Sequence, residues 1–79
     1  MIFMNQNRLN ETDVDLMIKH LDRIQIGYSA LVAYAMEDGM NENEILDDIE
    51  SMVIRSFGDE NVREISELIF KQLKKRNNY

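Results

Sequence analysis

Residues 12–39 read TDVDLMIKHLDRIQIGYSALVAYAMEDG, and this segment governs which elements the chain can form. Apolar side chains recur along it mostly at spacings of three and four, the spacing of one face of an α-helix. The stripe consists of Val14, Met17, Ile18, Leu21, Ile24, Tyr28, Leu31, Val32 and Ala35. It keeps its phase through Gly27, so the sequence predicts one long helix over residues 13–38, weakened because an interior glycine costs about 1 kcal/mol relative to alanine. A break at Gly27 is the alternative.

Capping signals set the ends of this long helix. Thr12 is a suitable N-cap, and Asp13 and Asp15 follow it in the first turn, where the helix dipole favours negative charge. Gly39 suits the position just after the last turn, which commonly takes a left-handed backbone. These signals place the helix between Thr12 and Gly39.

Two shorter helices are predicted over residues 42–57 and 60–76. Asn41 with Glu44 three residues later has the pattern of a capping box, which opens the second helix. Asp59 is the natural cap of the third. Both helices carry an apolar stripe at helical spacing, so each has a face to bury.

The composition agrees with a single all-α domain over residues 1–79. The chain has no proline and only three glycines, whereas turn-rich β folds need both residue types. Its length allows one domain at most. We interpret residues 1–11 as an N-terminal arm and residues 77–79 as a frayed tail.

Composition also limits the classes of protein. The chain has no cysteine, which excludes a disulfide framework and any thiolate metal site. No apolar run approaches the roughly 18 residues that a membrane span needs, and the start MIFMNQN lacks the features of a signal peptide. We therefore expect a cytoplasmic protein that does not associate with membranes.

Nothing in the sequence indicates catalysis. His20 is the only histidine, and it lies at the edge of the apolar stripe without a nucleophile motif or a phosphate-binding loop elsewhere. Residues 38–42 superficially suggest a calcium loop, but the glycine stands at the second place rather than the sixth. We expect no enzymatic activity, no metal and no cofactor.

Helix lengths favour self-association. At 1.5 Å per residue, a helix over 13–38 spans roughly 39 Å, whereas each later helix spans only about 25 Å. Two short helices cannot cover the whole stripe of the long one, and exposed contiguous apolar surface usually marks an interface. We expect a homodimer whose candidate contacts or core residues are Leu21, Ile24, Tyr28, Leu31 and Val32.

Residues 37–50, EDGMNENEILDDIE, hold seven carboxylates in fourteen positions and no lysine or arginine. Helix capping explains the position of Glu44 and in part that of Glu42, but it gives the other acids no local structural role. They are either a solvated helix face or a surface for a basic protein partner. For the second reading the candidate residues are Asp38, Asp47, Asp48 and Glu50.

The basic residues lie at the other end of the chain. Lys71, Lys74, Lys75 and Arg76 stand in the last turns of the third predicted helix, where cations complement the dipole. A net charge of −6 disfavours direct nucleic-acid binding, which requires a basic face. In a dimer this basic end can instead meet the acidic second helix of the mate.

From Ile26 to about Leu73 the chain combines a helix closed by a glycine, an asparagine-containing turn, a second helix opened by an apolar pair, a charged turn and a final helix. The residues that form this layout are Gly39, Asn41, Ile45, Leu46, Ile49, Gly58, Asp59, Glu60, Ile65 and Ile69. The layout resembles the small AriR-like regulators of biofilm formation and acid resistance, connector proteins that act on two-component signalling. The resemblance implies an all-α dimer without catalysis that regulates through protein contact.

Two functional hypotheses of different class follow. The first is a regulatory protein-interaction module, a dimeric helical adaptor or connector that binds a signalling or transcription protein in bacteria. The second is an acidic inhibitor, immunity protein or antitoxin of the phage type that occupies the basic groove of a nuclease or nucleic-acid-binding protein. The identity of the partner separates them.

Overall fold

The computed structural model describes residues 10–77, which form four α-helices and no strand. The helices are α1 (Glu11–Ile24), α2 (Tyr28–Glu37), α3 (Glu42–Phe57) and α4 (Val62–Arg76). The all-α prediction is confirmed, but the prediction of three helices is wrong, because residues 13–38 form two helices. The predicted arm and tail lie outside the described residues, apart from Asn10 and Glu11 at the start of α1 and Asn77 at the end of α4.

The break between α1 and α2 has a local cause. Gln25 is extended, and Gly27 takes the left-handed backbone, with φ of 80°. The Asp22 carboxylate accepts hydrogen bonds from the backbone N–H and the hydroxyl of Ser29, each at 2.8 Å. One of the first N–H groups of α2, which has no partner inside its helix, thereby gains one from the end of α1. The turn is stabilised by its own residues.

Helix starts agree with the sequence signals in part. Asn10, rather than Thr12, caps α1, since its side chain accepts from the Asp13 N–H at 2.8 Å and the Asp13 carboxylate accepts in return from the Asn10 N–H. Asn41 caps α3 as predicted and accepts from the Asn43 N–H at 2.7 Å. The predicted capping box does not form, because Asn41 accepts from Asn43 rather than from Glu44, and the Glu44 side chain accepts no hydrogen bond from the residues between 10 and 77.

The start of α4 differs from the prediction. The helix begins at Val62, two residues later than expected, and its N-cap is Asn61 rather than Asp59. Asn61 has a left-handed backbone with φ of 58°. Asparagine is one of the few residues other than glycine that tolerate this conformation, so position 61 can take it without being a glycine.

A single core lies between the four helices. It contains the buried residues Val14, Met17, Ile18, Leu21, Tyr28, Val32, Ile45, Ile49, Met52, Val53, Ile69, Phe70 and Leu73. The fourth helix packs most extensively on α3 and next on α1. The described chain measures 38 × 23 × 22 Å.

The break removes the length argument for a dimer. With 14 residues in α1 and 10 in α2, the two helices span about 21 Å and about 15 Å. Neither is longer than α3 or α4, so the overhanging apolar stripe on which the argument depended is not formed. None of the four helices has the length and apolar character needed to cross a bilayer, within the residues that the structure describes.

Candidate interaction surface

Three carboxylates of the acidic stretch have partners inside the chain. The Tyr28 hydroxyl donates to Asp48 Oδ2 at 2.9 Å, which ties α2 to α3. Arg63 of α4 donates to Glu50 at 2.7 Å. Glu42 lies 3.4 Å from the Lys74 ammonium group. These acids hold neighbouring helices together, and the sequence pattern alone did not reveal that role.

The other four carboxylates of the stretch are solvent-exposed. Glu37, Asp38, Glu44 and Asp47 form no side-chain hydrogen bond or ion pair with any residue between 10 and 77. Of the four residues predicted to face a partner, Asp38 and Asp47 are thus uncompensated, whereas Asp48 and Glu50 are partly engaged within the fold. Within this stretch, uncompensated negative charge lies at the end of α2, in the α2–α3 turn and in the first half of α3.

Tyr28 fixes the position of Asp48. Its side chain is only 3% exposed, and burial raises the pKa of its hydroxyl, with a further contribution from the hydrogen bond to Asp48. The hydroxyl therefore stays protonated over the ordinary pH range and remains a donor. As a result, Asp48 is held against α2 while its second oxygen, Oδ1, accepts no hydrogen bond from residues 10–77.

A groove of about 400 Å³ runs between α2 and α3, and we call it the α2–α3 groove. Its α2 wall is apolar and includes Leu31 and Ala35, with Met40 of the turn at one end. Its α3 wall carries the carboxylates of Glu44 and Asp48. Leu31 and Met40 are 51% and 49% exposed, so both present apolar area to solvent.

A second, smaller groove of about 280 Å³ lies between α2 and the end of α4. Ala30, Ala33 and Tyr34 line it together with Arg76. The Arg76 guanidinium already pairs with Asp15 at 2.8 Å. This groove also contains the exposed carboxylate of Glu37, so among residues 10–77 it combines apolar area with one compensated cation and one unpaired acid, whereas the α2–α3 groove is lined by two carboxylates and no cation.

Two basic residues at the end of α4 bind acids of α1, and we call this set of contacts the α1–α4 clamp. It joins Lys75 to Glu11, and Arg76 to Asp15, which also accepts a hydrogen bond from Gln72 at 3.1 Å. The hydrogen bond from Arg76 lowers the pKa of Asp15, and the hydrogen bond to Glu11 raises the pKa of Lys75. The basic end of the helix thus contacts acids of its own chain.

The candidate dimer residues occupy two environments. Leu21, Tyr28 and Val32 are buried in the core of the single chain, which is one of the two roles considered for them. Ile24 and Leu31 are about half exposed. Next to Ile24, in the turn between α1 and α2, Ile26 is 91% exposed. The accessible apolar residues of the original set are therefore Ile24 and Leu31.

His20 has a packing contact, with its ring centroid 5.4 Å from that of Phe57. Between residues 10 and 77 no group of three or more histidine or carboxylate side chains is arranged to hold a metal ion. The α2–α3 groove presents carboxylate acceptors beside exposed apolar side chains.

The sequence contained part of the signal for this surface. Glu44 and Asp48 are one helical turn apart and therefore share a face of α3, which spacing alone predicts. The pairing of Asp48 with Tyr28 joins residues 20 positions apart in different helices. This pairing depends on how α2 packs against α3, and no local sequence pattern predicts it.

Comparison with known proteins gives no match for this chain, whether against protein-family models, curated proteins or solved structures. The functional conclusion must come from the fold and its surface.

Proposed function

We propose that the chain is a non-enzymatic, cytoplasmic protein-interaction module that binds a basic protein partner through the α2–α3 groove and the acids around it. The observation that carries the proposal is the juxtaposition of uncompensated carboxylates with exposed apolar side chains. Glu44 lines the same groove as Leu31 and Met40. Asp38 lies in the turn two residues before Met40, and Asp47 is a helical neighbour of the groove residue Glu44, three positions after it in α3.

This combination suits a protein partner on physical grounds. Clustered like charges repel one another, and a basic partner relieves that repulsion on binding. The same charges speed encounter with the partner at low salt. Apolar area within the acidic surface supplies the desolvation energy that charge alone does not.

An adaptor or connector in bacterial signalling is the biological role that we propose, and membership of the AriR-like regulators belongs to the same proposal. Such a protein acts by binding its partner rather than by catalysing a reaction. Self-association as a homodimer is a further part of the proposal. The exposure of Ile24 and Ile26 at the turn between α1 and α2 supports it. Sedimentation that gives a monomer mass at all concentrations would remove the homodimer from the proposal.

A second candidate function uses the same surface against a different partner. An acidic inhibitor or antitoxin presents carboxylates to the basic groove of a nuclease or nucleic-acid-binding protein. The uncompensated acids of the α2–α3 turn and α3, such as Asp38 and Asp47, favour this candidate as well. The class of the captured partner decides between them.

Affinity capture from the native cell with matched charge variants tests the proposal. Asp47→Lys reverses an exposed charge three positions after the groove residue Glu44 in α3, and Glu60→Lys makes the same change at an exposed site in the α3–α4 turn. We expect a partner that the wild type and Glu60→Lys retain and that Asp47→Lys loses. A signalling or transcription protein indicates the adaptor, and a nuclease indicates the inhibitor. Equal capture by all three proteins would show that the acids beside the groove are only solvated.

A further inference from the structure

We propose that the α2–α3 groove receives one arginine side chain of the partner, with its alkyl stem on the apolar wall and its guanidinium between Glu44 and Asp48. This inference rests on the proposed function and specifies the contact at the centre of it. It follows from the two unlike walls of the groove, from its size and from the placement of its two carboxylates.

The two walls match the two parts of a long basic side chain. Such side chains lay their methylene stems on apolar surface while the charged head reaches a polar environment. Leu31 and Ala35 provide that apolar surface along α2, and Met40 extends it with an adaptable thioether. A metal ion or a small inorganic cation would make no use of this wall.

The size of the groove fits a side chain. At about 400 Å³ it lies near the lower end of the range of roughly 300–1,000 Å³ found for small-molecule sites. It is therefore suited to one side chain rather than to a whole helix.

The acidic wall holds two acceptors one helical turn apart. Residues at this spacing on a helix have their Cβ atoms about 5–6 Å apart. The Tyr28 hydroxyl fixes one oxygen of Asp48 at 2.9 Å, while its other oxygen and both oxygens of Glu44 bond to nothing else in residues 10–77. A guanidinium has five N–H donors in a planar fork and can serve both carboxylates, whereas a lysine ammonium is a single point of charge. The placement therefore favours arginine.

Titration of the ¹⁵N-labelled protein with N-acetyl-arginine amide, followed by amide chemical shifts, tests the site directly. N-acetyl-citrulline amide has nearly the same shape without the charge and is the matched control. We expect saturable shifts at Leu31, Met40 and Glu44 with the arginine compound and none with citrulline. Shifts that do not saturate and that extend equally to Asp59 and Glu60, exposed acids of the α3–α4 turn, would overturn the proposal.

Neutral variants of the two carboxylates sharpen the test. Glu44→Gln and Asp48→Asn should each weaken binding of the arginine compound by up to about fivefold, the range of an exposed ion pair. Asp48→Asn retains an oxygen that can accept from Tyr28, so the fold is preserved, and the rest of the spectrum checks this. Glu60→Gln removes an equal charge away from the groove and should leave the affinity unchanged. Equal affinities for all three variants would refute the assigned contact.

The two proposals fail separately. If Asp47→Lys loses its captured partner but the arginine compound does not bind the groove, the interaction module stands and the arginine contact is wrong. If the compound saturates the groove while capture is insensitive to Asp47→Lys, the groove chemistry stands and its role in recognising a protein partner is wrong.

Discussion

Replacing Gly27 by alanine gives opposite results for a broken and a continuous helix. Gly27 has φ of 80°, and a Cβ added there would meet no atom within 4 Å, so the cost of the change is one of backbone conformation alone. A left-handed backbone costs a non-glycine residue roughly 1–2 kcal/mol. The smaller entropy of the unfolded alanine chain offsets about 0.4–1 kcal/mol of this. We therefore expect Gly27→Ala to destabilise the fold by about 1 kcal/mol.

In one continuous helix the same substitution would stabilise, by about 1 kcal/mol, because alanine is the better helix former. Thermal unfolding followed by circular dichroism separates the two outcomes. For a domain of this size, about 1 kcal/mol lowers Tm by roughly 4–8 °C. Gly27→Asn is the matched control and should lower Tm less, since asparagine tolerates the left-handed backbone. A rise in Tm for Gly27→Ala would refute the break and restore the long helix, and with it the length argument for a dimer.

Three further expectations follow from single side chains. Asp22→Ala removes the carboxylate that caps the start of α2 and should lower the free energy of unfolding, measured in urea, by about 1 kcal/mol. An unchanged free energy of unfolding would mean that this cap contributes nothing. Ser66 is fully buried in α4, and its hydroxyl has no hydrogen-bond partner among the described residues. Ser66→Ala should therefore leave the free energy of unfolding unchanged or raise it by up to about 1 kcal/mol. A clear loss of stability would show that the hydroxyl has a partner after all. Because the pKa of Tyr28 is higher in the folded state than in the unfolded state, its contribution is complete below about pH 10 and lost above it. The stability difference between wild type and Tyr28→Phe should therefore fall by about 1.4 kcal/mol per pH unit above pH 10, and a constant difference would contradict the burial of the hydroxyl that raises its pKa.

The parts of the fold that sequence could predict are those set by local signals. The bounds of α3 follow from Asn41 before it and Gly58 after it, and the structure gives the predicted residues 42–57. The break at Gly27 could not be read from periodicity, because the buried residues Leu21 and Tyr28 lie on either side of it and keep the helical phase.

The start of α1 was readable from sequence, since Asn10 and Asp13 have the same asparagine-to-acid spacing as Asn41 and Glu44. The residues of the surface were likewise predictable from sequence only in part. Exposure of Asp47 follows from its position on the wheel of α3, whereas the Glu50 contact with Arg63 requires knowledge of how two helices pack.

The α1–α4 clamp has a consequence for the protein during its synthesis. It joins Glu11 to Lys75, among the most distant positions of the described chain, and α4 is the helix that covers α1 and α3. Chains are made from the N-terminus, so α1 to α3 leave the ribosome while their apolar faces toward α4 are still bare. The contacts of α4 with α3 and α1 cannot form until residues 62–76 have been made. The apolar faces of α1 and α3 that pack on α4 therefore stay accessible to chaperones and proteases until residues 62–76 have been synthesised.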